Sequence, residues 1–169
     1  GGITVGPDGA SHQALEDISL MRSIPGMVVI VPCDGVETAQ AIRFDAKYNG
    51  PVYIRLARTS VQEILDETKY KFDFSKAVIL KEGCDVTLVS NGETLLEALR
   101  CSEMLALKGI QAEVINYPVV KPLDSETIIN SAKKTGCVAI IENHSIIGGL
   151  GSAVCECLSE NYPVYIHRV

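Results

Sequence analysis

The segment Gly6-Pro-Asp-Gly-Ala-Ser-His12 gathers a carboxylate (Asp8), a permissive glycine (Gly9), a small hydroxyl (Ser11) and an imidazole (His12) just ahead of a helical pattern. Where a loop enters a helix, such side chains and free backbone N–H groups can converge on a polar substrate. The chain has only three histidines, so one placed here stands out. The same residues also suit a plain structural use, with Asp8-Gly9 making a turn and Ser11 or His12 capping the helix. Arg58 is the second candidate. It follows the strand-like run Pro51-Val-Tyr-Ile-Arg-Leu56 at its C-terminal end, where open α/β sheets place ligands, and its planar guanidinium suits a phosphate. Its structural alternative is a surface arginine opening a linker. Arg55 and Arg22 read as partners in internal pairs.

A third polar segment, Glu142-Asn-His-Ser-Ile-Ile-Gly-Gly-Leu-Gly151, lies between a strand pattern and a helix pattern. It could cradle an anion, yet it is not a GxGxxG and no acidic residue follows at the nucleotide-binding distance. Glycines for a tight turn and close helix packing are the favoured reading. His144 could reach a subunit interface, and His167, in the last strand, reads as structural.

Alternating strand and helix patterns must position these groups. Residues 11–24 are predicted helical, with Leu15, Ile18 and Met21 on one face and Pro25-Gly26 as the stop. Met27–Val31 is an unbroken apolar run, as in a strand covered on both faces. Asp34 with Glu37 starts a helix in the manner of a capping box, and it runs to about Tyr48. Residues 58–75 show no clear period. Strands are predicted at 85–90, 111–116, 137–142 and 164–168. The intervening helices begin after Asn91-Gly92, at Asp124 and at 150, with Gly109 and Gly136 as stops. Strands joined by helices of this length need crossovers, so the sheets are expected to be mostly parallel with helices on both faces. The organisation expected is an α/β chain with a first unit at 1–58, a linker at 59–76 and a second unit at 77–169.

Composition narrows the classes. Hydrophobic residues make up 47% and charged residues 21%, which excludes a disordered chain. The net charge of -6 with scattered Lys and Arg argues against nucleic acid as a partner, though a local arginine can still hold a phosphate. Six cysteines occur without a CxxC pair and several lie in apolar patterns, which fits free thiols in a reducing cytoplasm better than disulfides or zinc. There is no leader-like segment and no apolar run near 18 residues, so neither secretion nor a membrane is indicated. The start at Gly1 without Met and the stop in a strand-like run at Val169 suggest a fragment.

The run DGASHQALEDISLMRSIPGMVVIVPCD resembles the DGPTHQ…E…R-x-[IL]-P-[NG] signature of transketolases. The resemblance continues through GPVYIRLAR, ending at Arg58, and through ENHSIIGGLGSAV, so it spans nearly the whole chain. Ala10 stands where the family often has Pro, and Ser11 where it has Thr; both keep the loop small and the hydroxyl in place. The resemblance implies a truncated pyrimidine-binding domain joined to a Rossmann-like C-terminal domain. It implies transfer of a two-carbon ketol unit between sugar phosphates with thiamine diphosphate and a divalent metal such as magnesium. In that chemistry oxygens gain and lose protons, which suits an imidazole. His12 would act at the oxygens of the transferred unit, Asp8 would accept from a substrate hydroxyl, and Arg58 would bind phosphate.

The family's cofactor-activating glutamate, the aromatic residues around the pyrimidine and the diphosphate–metal segment have no equivalent here. The expected partner is therefore an N-terminal transketolase section or subunit, within a homo-oligomer, and the chain alone is expected to be inactive. A deoxyxylulose-phosphate synthase usually shows two adjacent histidines where this chain has His12-Gln13, and a 2-oxoacid dehydrogenase β subunit lacks the DG-x-[ST]-HQ run. A non-catalytic assembly module is the reading from another class.

Overall fold

The computed structural model describes residues 1–169 as five α-helices and eight strands in two sheets. In the first sheet β1 (Val28–Ile30) lies between β2 (Val52–Ile54), parallel to it, and β6 (Val119–Lys121), antiparallel. The second has the order β3-β5-β4-β7-β8, from β3 (Val78–Lys81), β5 (Ala112–Asn116), β4 (Val86–Ser90), β7 (Cys137–Ile141) and β8 (Tyr165–Arg168). All its neighbours are parallel except the antiparallel pair β3–β5. The expected α/β class with largely parallel strands holds. The strands β3 and β6 are not foreseen from the sequence: β6 is enclosed by Pro118 and Pro122, and β3 ends in the charged run Lys81-Glu82.

The helices are α1 (Asp17–Ser23), α2 (Gly35–Asp45), α3 (Leu95–Ala106), α4 (Ser125–Thr135) and α5 (Leu150–Asn161). Asp34 accepts from the Glu37 N–H at 2.9 Å and Asp124 from the Thr127 N–H at 3.2 Å, so both predicted caps form. Gly136 closes α4 at φ 74°, a left-handed conformation that glycine adopts without a Cβ penalty. The helix predicted over 11–24 is shorter than expected. Residues 11–16 form turns because Gly9 turns left-handed at φ 77°, and Gln13 donates back to the Gly6 carbonyl at 2.9 Å instead of lying along a helix.

One apolar core joins the sheets: Ile18 and Val29 pack with Val89, Ile115, Tyr117, Ile140, Leu150 and Leu158. Each such side chain contributes about 1.5–3 kcal/mol by leaving water. Residues 55–77 contain no helix or strand, yet they are strapped to α2. Asp34 accepts from the Ile64 and Leu65 N–H groups at 2.9 and 2.8 Å, and Gln40 bonds the backbone of Tyr70 and Phe72. Glu37 departs from a simple capping box. It is fully buried and accepts from the Cys33 N–H at 2.8 Å, from Asn116 Nδ2 at 2.9 Å and from the Tyr70 hydroxyl. Burial raises its carboxyl above the ordinary value, against the opposing pull of those donors.

Candidate active site

Arg55, one residue past β2, is the buried keystone under the Asp8–His12 loop. Its Nε donates to Asp17 Oδ2 at 2.9 Å, and its Nη2 donates to the carbonyls of Asn143 at 2.8 Å and Ala14 at 3.3 Å. One guanidinium thus ties the end of the loop, the first turn of α1 and the segment after β7. Tyr53 adds its hydroxyl to the same Asp17 oxygen at 2.7 Å, and burial pushes its phenol up to about 12. The internal-pair reading of Arg55 is what the structure shows.

Above this base the loop is built from backbone bonds. Gly2 N–H reaches the Ala14 carbonyl at 2.7 Å, Asp8 N–H the Gly6 carbonyl at 2.9 Å, and His12 N–H the Gly9 carbonyl at 3.1 Å. Gly6, at φ 103°, and Gly9 make the two turns that L side chains resist. The loop therefore fixes the backbone of Asp8 and leaves its carboxylate partly exposed. Asp8 pairs with Arg58, whose side chain is 60% exposed against 28% for Asp8. Two candidates fifty positions apart meet. His12 stays exposed, its Nδ1 2.9 Å from Ser11 Oγ. It makes no hydrogen bond to Asp8 or Arg58, and neither Ser11 nor His12 caps α1, whose N-cap position is Glu16.

The second loop is fastened inward. Glu142 accepts from the N–H groups of Leu150 at 2.7 Å and Gly151 at 2.8 Å, so its own carboxylate fills the N-terminus of α5 where an external anion would sit. A Cβ at Gly149 would collide with that carboxylate, which explains the glycine. Asn143 accepts from the Ile3 N–H at 2.9 Å and donates to Thr4 Oγ1 at 2.8 Å and to Glu93. His144 is buried, with Nδ1 2.7 Å from the Ser145 carbonyl. Arg22 crosses from α1 to the carbonyls of Gly148 and Gly149 and to Glu156 at 2.7 Å. The segment is thus a tight turn packed on its own framework.

Reading the sequence missed a cleft of about 250 Å³ beside the Arg58 segment, lined by Thr4, Thr59, Ser60, Gln62, Glu93 and Thr94 among others. No spacing could have revealed it, since its walls come from four distant stretches, around Thr4, Cys33, Ser60 and Glu93. No three His, Cys, Asp or Glu side chains converge to hold a metal ion.

Two family models match the chain: transketolase, pyrimidine binding domain, over residues 1–63, and transketolase, C-terminal domain, over residues 75–169. The chain belongs to the transketolase family. It is 48% identical over 168 residues to the 6-deoxy-6-sulfo-D-fructose transketolase subunit SqwH of Clostridium sp. (strain MSTE9), covering 99% of this chain and 52% of that protein. It is 39% identical to 1-deoxy-D-xylulose-5-phosphate synthase 1 of Geobacter sulfurreducens, over 95% of this chain and 25% of the synthase. The solved structure of a split-gene transketolase in an inactive β4 tetramer superposes with a TM-score of 0.92 at 46% identity, over 95% of this chain and 54% of that one. The chain spans about half the length of SqwH and of the split-gene transketolase chain. No helix is long and apolar enough to cross a membrane.

Proposed function

We propose that this chain is the C-terminal section of a transketolase that works with an N-terminal section supplying the grip on thiamine diphosphate and its divalent metal. When bound, that cofactor supplies the carbon nucleophile. The residues of this chain bind and orient the sugar phosphate. His12 gives or takes a proton at an oxygen of the transferred two-carbon unit. Asp8 accepts from a substrate hydroxyl, and Arg58 takes the terminal phosphate through its planar fork. The observation that carries this reading is the meeting of Asp8 and Arg58 at one exposed rim, on a loop fixed from beneath by Arg55. Gln13, whose amide holds the Gly6 carbonyl, favours transketolase over the synthase, which usually has a second histidine there.

Reconstitution tests it. The chain alone is expected to give no turnover of a ketose phosphate, and adding the N-terminal section should restore it. In the assembled enzyme, Arg58→Ala should raise KM for phosphorylated sugars by about ten- to a hundredfold while leaving unphosphorylated donors nearly unchanged. Sulfonated ketoses serve as a further arm, since one relative is named for such a sugar. Equal effects on charged and uncharged donors would show Arg58 to be structural.

A further inference from the structure

Asp8 and Arg58 neutralise each other before any substrate arrives. Their mounting differs. Asp8 sits in a loop turned by two left-handed glycines and tied by its own N–H, so its backbone is the better-fixed half. Arg58 lies on an irregular segment beyond β2 with its side chain mostly in solvent, and Asp8 is its only ion-pair partner. An exposed pair of this kind is weak enough for a ligand to open. The two possible visitors differ sharply. A bare phosphate that takes the guanidinium leaves the carboxylate unpaired and facing a second anion. A phosphate carried on a polyhydroxylated chain can bring a hydroxyl to that carboxylate at the same moment.

We propose that the Asp8–Arg58 pair is an exchange lock. A sugar phosphate opens it by giving phosphate to Arg58 and a hydroxyl to Asp8, and bare phosphate is thereby disfavoured. Asp8 then contributes to selectivity twice, as a partner for the sugar and as an internal competitor against inorganic anions. This rests on the reading that Arg58 binds the substrate phosphate.

The test measures competitive inhibition of the assembled enzyme by inorganic phosphate and by an unreactive polyol phosphate such as ribitol 5-phosphate. Asp8→Asn keeps the shape of the side chain and removes its charge. It should tighten inorganic phosphate by roughly two- to fivefold, the scale of one exposed ion pair, and narrow the advantage of the polyol phosphate. Arg58→Ala should weaken both by about tenfold or more. Inorganic phosphate bound no more tightly by the Asp8→Asn enzyme would overturn the lock while leaving Arg58 as the phosphate ligand. Unchanged binding of both inhibitors by the Arg58→Ala enzyme would overturn the lock together with the reading beneath it.

Discussion

Two polar loops, each holding a histidine and each leading into a helix, lie side by side and are used in opposite ways. The loop ahead of α1 keeps Asp8 and His12 toward solvent, with backbone bonds and glycine turns doing the structural work. The loop ahead of α5 turns Glu142, Asn143 and His144 onto its own framework. They even share fastenings: Ser145 N–H reaches the Leu15 carbonyl at 3.0 Å, and Arg55 bonds both Ala14 and Asn143. The residue types alone do not separate the two. What separates them is burial: Glu142 and His144 are turned into the framework, whereas His12 stays in solvent.

The sharpest way to break this contrast is to remove the inward carboxylate. Glu142→Ala should strip two buried N–H groups of their acceptor, at about 1–3 kcal/mol each. Denaturant unfolding should show a loss of about 2–6 kcal/mol, with Glu142→Gln recovering part of it through one amide oxygen. A variant as stable as the parent would mean that α5 does not depend on its carboxylate cap.

The mirror-image change is His12→Ala. In the assembled enzyme it should lower kcat/KM by on the order of a hundredfold, and stability should stay within about 0.5 kcal/mol, as for an exposed side chain without structural partners. A large loss of stability with an unchanged rate per folded molecule would move His12 to the side of Glu142.

A subtler change uses Glu37, another carboxylate turned inward. Its folded value lies above the ordinary 4.5, so the folded chain keeps a proton that the unfolded chain has released. Stability from this source is complete below the ordinary value and declines as the pH rises through the raised one. Glu37→Gln should flatten that decline, read as melting temperature from pH 4 to 9. Asn116 can turn its amide to meet the new NH2, since its Oδ1 has no partner in the wild type. A pH dependence steeper than that of the parent would contradict a protonated Glu37.

The strand–helix alternation, the caps at Asp34 and Asp124 and the stop at Gly136 were legible because each depends on a few neighbouring residues. The start of α1 was not, since Ser11 to Glu16 have acceptable helix formers and only the Gln13 contact with Gly6, together with the turn at Gly9, holds them apart from a helix. At the candidate site the sequence pointed to Asp8 and His12 together, and to Arg58 apart from them. It could not foresee that Asp8 meets Arg58, nor that Glu142 occupies the helix end it precedes. Those are long-range or inward contacts, and spacing along the chain carries no trace of them.

The strand β6 lies within the stretch matched by the C-terminal domain, yet it completes the sheet of β1, with Val119 opposite Ile30 and Lys121 opposite Val29. Lys121 also reaches the carbonyls of Arg22 and Ile24 at the end of α1. The two matched stretches are therefore not interchangeable parts. A chimera that took residues 75–169 from a relative would import the neighbour of β1 along with them. The borrowed strand would have to reproduce the irregular register beside Val29 and Ile30, or the edge of β1 would be left with unpaired N–H and C=O groups open to pairing with other chains. Divergence on one side of the border is in this way constrained by the other, and the pair can be exchanged only as a whole.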